Sequence, residues 1–187
     1  SSLADSDTTN FLSNEHDDEV LVLFTSGTTG TKKLVPHKLG DMLIASACIA
    51  LSWNLKPDDV NCNLMPLFHV GGIVRQVFAP ILSAGSVICC PSFDPQTFWN
   101  LLQESKFTWY YAAPTMHQII LANLPSGAAS TGNYGGDRQH TTFKLRMIAN
   151  AAGGLLPSLA EELRAVFGAN VLPSYGMTEC MPISSPP

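Results

Sequence analysis

Charged side chains are scarce in this 187-residue sequence. They make up 13% of it, against about 25% in an average soluble domain. Hydrophobic residues make up 45%. This balance is typical of a piece of a larger protein, whose apolar faces meet segments other than its own. We expect a flexible lead-in at 1–18 and one partial α/β domain at 19–187.

Long apolar runs and basic stripes are also missing. No stretch reaches the roughly 20 apolar residues of a membrane-spanning helix, which excludes a membrane span. The net charge is −5, and no face or segment gathers Lys and Arg, which excludes nucleic acid as the main partner. The N-terminus lacks the basic start and apolar stretch of a secretory signal.

The cysteines lack any metal-site or disulfide pattern. Their number is five, which is odd, and no pair has CxxC spacing. A disulfide framework and a structural metal are therefore disfavoured. We expect an intracellular, reducing compartment.

Strand and helix patterns alternate along the chain. Strands are predicted at 19–24, 60–65, 86–90, 107–112, 145–149 and 170–173, and helices at 39–53, 70–82, 95–105, 114–123 and 157–167. Alternation of this kind predicts a mostly parallel sheet flanked by helices. Pro, Ser, Gly and polar residues at about 124–142 predict a long mobile loop. In such sheets ligands bind at the carboxyl ends of the strands.

A run of hydroxyls, glycines and lysines follows the first predicted strand. It comprises Thr25, Ser26, Gly27, Thr28, Thr29, Gly30, Thr31, Lys32 and Lys33. Glycines allow close backbone approach, and hydroxyls, backbone N–H groups and lysines suit phosphate oxygens. The run is not a Walker A loop, because Gly30 is not followed directly by Lys and Ser or Thr. The alternative, a plain Ser/Thr/Gly turn, is less favoured because so many donors stand together.

This run resembles the TSGTTGxPKG signature of the adenylate-forming superfamily. That superfamily includes acyl-CoA synthetases, adenylation domains of nonribosomal peptide synthetases and beetle luciferases. Lys32 stands where Pro is usual and Leu34 where Gly is usual, whereas Lys33 matches the signature lysine. The resemblance implies that the chain is a central piece of the large N-terminal domain of such an enzyme.

The segment Tyr175–Glu179 resembles the YGxTE motif of the same superfamily. The resemblance implies that the Tyr175 ring stacks on adenine, with Gly176 and Met177 beside it. It also implies that Thr178 contacts the α-phosphate and that Glu179 is a ligand of Mg²⁺. By residue type alone, the segment could equally be an ordinary turn after a strand.

Two further segments take part in the resemblance. Ala151, Ala152 and Gly153, with Gly154 after them, look like the adenine-side segment, although a plain strand-to-helix turn is nearly as good an explanation. His69 lies in MPLFHVGG, which resembles the PLFHxxG segment lining the acyl pocket. A structural histidine is the equal alternative there. The sequence of this segment resembles peroxisomal-type oxalyl-CoA synthetases more than luciferases.

The resemblance implies a carboxylate-activating ligase that uses ATP and Mg²⁺, with Lys33, Thr178, Glu179 and His69 as its catalytic set. The acceptor would be coenzyme A, or the phosphopantetheine of a carrier protein if the parent is a peptide-synthetase-like adenylation domain. A non-catalytic nucleotide-binding module is the third reading. The motifs expected downstream, including a catalytic lysine, are absent from the sequence. We therefore expect weak nucleotide binding and no turnover from this chain, in the cytoplasm or a peroxisome.

Overall fold

The computed structural model describes residues 15–26, 32–126 and 143–186. Within these ranges the strands are β1 (Glu19–Ser26), β2 (Lys32–Lys38), β3 (Val60–Asn63), β4 (Ser86–Cys89), β5 (Trp109–Ala112), β6 (Met147–Asn150), β7 (Asn170–Pro173), β8 (Tyr175–Met177) and β9 (Cys180–Ser184). The α-helices are α1 (Leu39–Ser52), α2 (Ala79–Leu82), α3 (Pro95–Gln103), α4 (Pro114–Ala122) and α5 (Pro157–Phe167), and a π-helix at Gly71–Phe78 runs directly into α2.

A parallel sheet of five strands lies at the centre, in the order β4-β3-β5-β6-β7. Each connection between sequential strands of this sheet contains a helix, as parallel pairing requires. The predicted α/β architecture, a parallel sheet flanked by helices, is therefore confirmed. All five strands end at one edge, so the segments that follow β3, β5, β6 and β7 are neighbours.

Helices cover both faces of this sheet, and aromatic side chains fill the space between. Successive residues of β5 alternate between the faces. Tyr110 packs with Phe98 of α3, at 4.9 Å between ring centroids, in the core that also contains residues of α4 and α5. Trp109 and Tyr111 pack on the opposite face against Trp53, which follows α1.

Local sequence signals fixed the helices that begin with proline. Asp94 caps α3 by accepting a hydrogen bond from the Thr97 amide at 2.8 Å, with Pro95 in the first turn. Helix α5 begins at Pro157 and ends at Phe167, as predicted. Gly168 follows it in the left-handed conformation, at φ 63°, where a side chain would be strained.

The first predicted strand is present, at Glu19–Ser26, but its surroundings differ from those that its apolar sequence predicts. Such a run predicts a strand buried on both faces. Instead β1 pairs antiparallel with β2, in a two-stranded sheet separate from the central one. Leu23 is buried, whereas Val22 and Phe24 are 50% and 67% exposed. Only one face of the strand is therefore covered, and the apolar run conceals this because both faces carry apolar residues.

The helix predicted at 70–82 is present but begins as a π-helix. Pro80 has no N–H to donate to the carbonyl of Gln76, four residues earlier. The Asn61 Nδ2 donates to that carbonyl instead, at 2.7 Å. This hydrogen bond attaches the helix to β3. It is consistent with the departure from regular α-helical bonding.

The last residues of the predicted lead-in contact the start of α1. Residues 15–18, assigned to the lead-in, are bonded to the start of α1: the amides of Leu39 and Gly40 donate to the carbonyls of Asp18 and His16, each at 2.9 Å. Residues 1–14 and most of the predicted loop, 127–142, lie outside the described residues. Among the described residues, no helix has the length and apolar character needed to cross a membrane.

Candidate active site

A turn of small residues follows β6 at the carboxyl edge of the sheet. Ala152 has φ 62°, and the Asn150 Nδ2 donates to the carbonyl of Gly153 at 3.0 Å. A side chain at Gly153 would place its Cβ 3.2 Å from the ring of Pro114, tighter than most real contacts. The backbone of this turn is thus held close to α4, with its outer side exposed.

The end of β7 lies beside this turn. The backbone N–H and the hydroxyl of Ser174 both donate to the carbonyl of Asn150, at 2.9 and 3.2 Å. These bonds join the residue after β7 to the last residue of β6. They place Tyr175 and Gly176 opposite the small-residue turn.

An open cavity of about 560 Å³ lies between the two segments. It is large enough for a flat heteroaromatic group. Tyr175, which contributes to its wall, is 61% exposed. Its lining residues are Asn150, Ala152, Gly153, Gly154, Leu155, Pro173, Ser174, Tyr175, Gly176 and Ser184. Four of the predicted nucleotide-binding residues, Ala152, Gly153, Tyr175 and Gly176, are therefore brought together by the fold.

The rest of the Tyr175–Glu179 segment forms a tight hairpin that sequence reasoning did not anticipate. Met177 pairs with Cys180, so Thr178 and Glu179 are the two residues of the turn between β8 and β9. A turn of two residues projects their side chains away from the strands. Thr178 is half-buried, and Glu179 is exposed.

A second cavity, of about 160 Å³, opens on the inner side of Thr178. It contains His69, which is exposed and whose ring centroid lies 4.6 Å from that of Phe68. Its lining residues are Met65, His69, Val70, Gly71, Arg75, Tyr111, Ala151, Ala152, Gly176, Met177, Thr178 and Met181. The predicted residues His69, Ala151, Met177 and Thr178 thus share one small cavity.

Glu179 faces a third cavity, of about 340 Å³, towards β2 and α1. His37 of β2 and Asp41 of α1 line it as well. Burial lowers the pKa of His37, and the carboxylates of Asp41 and Glu179 act in the opposite direction. His37 of β2 therefore faces the tip of the β8–β9 hairpin across this cavity.

The hydroxyl-rich run joins β1 to β2, and its two ends, 25–26 and 32–33, belong to those strands. Thr25 of β1 pairs with Lys33 of β2 next to this connection, and Lys33 is exposed. Ser26 ends β1 and pairs with Lys32. Neither Thr25 nor Lys33 is among the lining residues of the three cavities. Gly27, Thr28, Thr29 and Gly30 lie outside the described residues.

Sequence reasoning passed over two buried polar residues of this region. Arg75 of the π-helix is 1% exposed and lines the cavity of about 160 Å³. His117 of α4 is fully buried, and its Nδ1 lies 3.1 Å from the Tyr110 hydroxyl. A charged residue in an otherwise apolar helix pattern was the available signal for Arg75. For His117 nothing local indicated burial.

A family model and a curated relative both match almost the whole chain. The family model described as AMP-binding enzyme matches residues 3–187. An oxalate–CoA ligase of Arabidopsis thaliana is 36% identical over 98% of this chain and 35% of its own length. The chain thus spans about a third of the length of this curated relative.

Two solved structures have the same fold over nearly the whole chain. ATP-bound MatB from Rhodopseudomonas palustris has a TM-score of 0.75 at 28% identity, covering 92% of this chain and 32% of MatB. MenE, the O-succinylbenzoate coenzyme A synthetase of Bacillus subtilis, was solved with ATP and a magnesium ion. It has a TM-score of 0.74 at 25% identity, over 91% of this chain and 33% of MenE. With a family match over almost its full length, the chain belongs to the AMP-binding enzyme family.

Proposed function

We propose that this chain carries the nucleotide-binding part of an ATP-dependent ligase that activates a carboxylic acid and transfers it to coenzyme A. One observation carries the proposal. The turn after β6 and the segment after β7 form a single open cavity, and that cavity adjoins Thr178 through Gly176. The relative from Arabidopsis thaliana is named an oxalate–CoA ligase, which favours coenzyme A over a carrier protein as the acceptor.

The larger cavity fits the adenosine part of ATP. The exposed ring of Tyr175 offers a flat apolar face on which a base can stack. The turn Ala152–Gly154 offers backbone and small side chains on the other side of the cavity. Stacking between these two walls would direct the phosphates towards Thr178 at the hairpin tip.

The proposed reaction needs positioning more than covalent chemistry. A carboxylate oxygen attacks the α-phosphorus, a new P–O bond forms, and the bond to the β-phosphate oxygen breaks. Pyrophosphate leaves with that electron pair. The products are an acyl-adenylate and pyrophosphate, and a thiolate then displaces AMP to give the thioester. Thr178 would donate its hydroxyl to an α-phosphate oxygen, where negative charge accumulates.

Glu179 fits the requirement of Mg²⁺ for one or two carboxylates beside substrate phosphates. Its side chain stands exposed at the hairpin tip, in the cavity that faces β2. When bound, the ion would neutralise charge on the phosphate oxygens. Lys33 and the hydroxyl-rich run at 25–31 would hold the β- and γ-phosphates from the other hairpin.

Activity of this chain alone is a separate matter. The nucleotide would touch it through a cavity that stays open, and a ring that is 61% exposed cannot exclude water. We therefore expect weak nucleotide binding and no sustained pyrophosphate release. The two other candidates, a carrier-loading adenylation domain and a non-catalytic nucleotide-binding module, make the same nucleotide contacts. They differ in the acceptor and in turnover.

The stacking role of Tyr175 can be tested by calorimetric titration with AMP. Replacing Tyr175 by Ala should weaken AMP binding roughly tenfold, since stacking on an aromatic side chain contributes about 1–3 kcal/mol per base. Tyr175→Phe keeps the ring and should bind within about threefold of the wild-type chain, because only the exposed hydroxyl is lost. Equal AMP affinity of the Ala and Phe variants would contradict the proposed site.

A further inference from the structure

His117 of α4 is buried beneath the carboxyl edge of the sheet. It is fully buried and is not among the lining residues of the three cavities. A part for this side chain in ligand binding would therefore pass through a neighbouring residue. Burial lowers its pKa to about 4, so the ring is neutral at pH 7 and only one of its two nitrogens carries a proton.

The Tyr110 hydroxyl decides which nitrogen that is. This hydroxyl is fully buried and lies 3.1 Å from the His117 Nδ1, and it makes no other hydrogen bond within residues 15–26, 32–126 and 143–186. A buried O–H group without an acceptor costs free energy, so the hydroxyl donates to Nδ1. The hydrogen bond at one ring nitrogen fixes the state of the other. Nδ1 is then unprotonated, and Nε2 carries the proton.

The Asn150 side chain is the acceptor that this N–H group needs. The His117 Nε2 and the Asn150 Oδ1 are both buried, and neither has a formed hydrogen bond among the described residues. Although burial dominates the pKa of His117, the Asn150 side chain acts to raise it, which is the effect of a hydrogen-bond acceptor. The oxygen of the amide, and not its NH2 group, therefore faces the ring.

The orientation of the Asn150 amide matters because its nitrogen holds the turn after β6. The Asn150 Nδ2 donates to the carbonyl of Gly153 at 3.0 Å. Rotation of the amide by half a turn would exchange its oxygen and nitrogen and set two acceptors, Oδ1 and that carbonyl, against each other. Asn150, Ala152 and Gly153 all line the cavity of about 560 Å³. The amide thus sets the shape of one wall of that cavity.

We propose that His117 is a positioning residue of the nucleotide cavity. Its Nε2–H group fixes the Asn150 amide and, through it, the turn that forms one wall. Once Nε2 donates to Oδ1, both of these unpaired buried atoms are satisfied. The inference rests on the proposed function for the identity of the ligand, whereas the effect on the turn follows from the buried contacts alone.

The tautomer of His117 can be measured in the wild-type chain, without ligand, by long-range ¹⁵N–¹H NMR correlation at pH 7. We expect a neutral ring with its proton on Nε2. Tyr110→Phe removes the hydroxyl that donates to Nδ1, so part of the population should then carry the proton there. A wild-type ring that is protonated on Nδ1 would overturn the inference.

AMP affinity, measured by NMR titration, tests the effect on the cavity. His117→Phe keeps a ring but has no N–H group, and it should weaken AMP binding about fivefold or more, because the Asn150 amide loses its partner. His117→Gln restores an N–H donor and should bind AMP within about twofold of the wild-type chain. In an Asn150→Ala chain, His117→Phe should weaken AMP binding no further, because the effect passes through that amide.

Asp59→Asn is the matched control for a general loss of stability. It removes the counter-ion of Arg146, outside the three cavities, so it should lower the free energy of unfolding and leave AMP affinity unchanged. Equal losses of AMP affinity in Asp59→Asn and His117→Phe would reduce the part of His117 to general stability and overturn the inference. Wild-type AMP affinity in His117→Phe would overturn it as well.

The amide NMR signals of Ala152 and Gly153 separate this inference from the proposed function. They should shift in His117→Phe and return towards their wild-type positions in His117→Gln, with or without AMP. If the wild-type chain binds no AMP while these signals respond in this way, the proposed function is wrong and the effect of His117 on the turn is confirmed. Signals that are unchanged in His117→Phe would overturn the inference whatever the AMP affinity.

Discussion

At the scale of single residues, buried polar side chains with unsatisfied hydrogen-bonding atoms lie beneath the carboxyl edge of the sheet. His117 lies between the Tyr110 hydroxyl and the amide of Asn150. Neither the His117 Nε2 nor the Asn150 Oδ1 makes a hydrogen bond among the described residues. Since Asn150 also holds the turn after β6 through Gly153, this buried group supports one wall of the larger cavity.

His117 makes stability depend on pH. Burial lowers its pKa to about 4, and the neighbouring Ala112 backbone and Asn150 side chain oppose this only in part. An unfolded histidine has a pKa of about 6.5, so the unfolded state binds more protons between pH 4 and 6.5. The free energy of unfolding should therefore fall as the pH decreases across this window. The contribution of His117 to the slope is at most about 1.4 kcal/mol per pH unit.

The measurement is urea unfolding of the wild-type chain and of His117→Gln at several pH values from 4 to 7. The variant should be less stable at pH 7, because the contact with Tyr110 is altered, but its stability should decline less on acidification. A slope identical in both proteins would show that His117 does not titrate as its burial requires.

At the scale of elements, an ion pair ties three strands together at the amino edge of the sheet, opposite the candidate site. Asp59, next to β3, accepts hydrogen bonds from the Arg146 Nε at 2.6 Å and the Thr108 hydroxyl at 2.8 Å. Arg146 precedes β6, and Thr108 precedes β5. Burial raises the pKa of Asp59, but these hydrogen bonds outweigh it and lower the pKa overall.

Replacing Asp59 by Asn should destabilise the chain by roughly 2–3 kcal/mol, since Arg146 loses its counter-ion. Arg146 is partly exposed, at 37% of its side chain, so water reduces the penalty from the value for a fully buried pair. Asp58→Asn, one residue earlier and exposed, is the matched control and should change the unfolding free energy by less than about 0.5 kcal/mol.

Because the pKa of Asp59 is lowered on folding, its stabilisation should be present above about pH 4 and be lost on further acidification. Equal stability of the two variants would contradict the role given to this pair.

Also at the scale of elements, those that can be predicted from sequence are the ones whose signals lie close together in the chain. Helices α3 and α5 carry their own signals: a capping Asp94, prolines in the first turn and a terminal Gly168. Their bounds follow from residues close in the chain. The pairings β1–β2 and β8–β9 depend on which strand faces which, and the alternating exposure of Val22 and Leu23 was hidden by an apolar run.

At the scale of the whole molecule, the candidate site depends on distant segments meeting at one edge. The motif residues could be named from sequence because their segments resemble the signature motifs of the adenylate-forming superfamily. Their grouping into three cavities could not be predicted. The burial of Arg75 was also out of reach, because it depends on the packing of α1, β5 and the π-helix together.

Substitution of Lys33 tests whether the β1–β2 and β8–β9 hairpins contact one nucleotide. If Lys33 holds the β- and γ-phosphates, Lys33→Met should weaken ATP binding about tenfold, since a charge-assisted contact contributes about 1.5–3 kcal/mol. AMP affinity should stay unchanged, because AMP lacks those phosphates. Lys144→Met, an exposed lysine before β6, should affect neither ligand. Tyr175→Ala, in contrast, should weaken ATP and AMP to the same extent. A Lys33→Met chain that loses AMP and ATP affinity equally would place Lys33 elsewhere than at the terminal phosphates. Unchanged ATP affinity would show that the β1–β2 hairpin and the β8–β9 hairpin do not share a ligand in this chain.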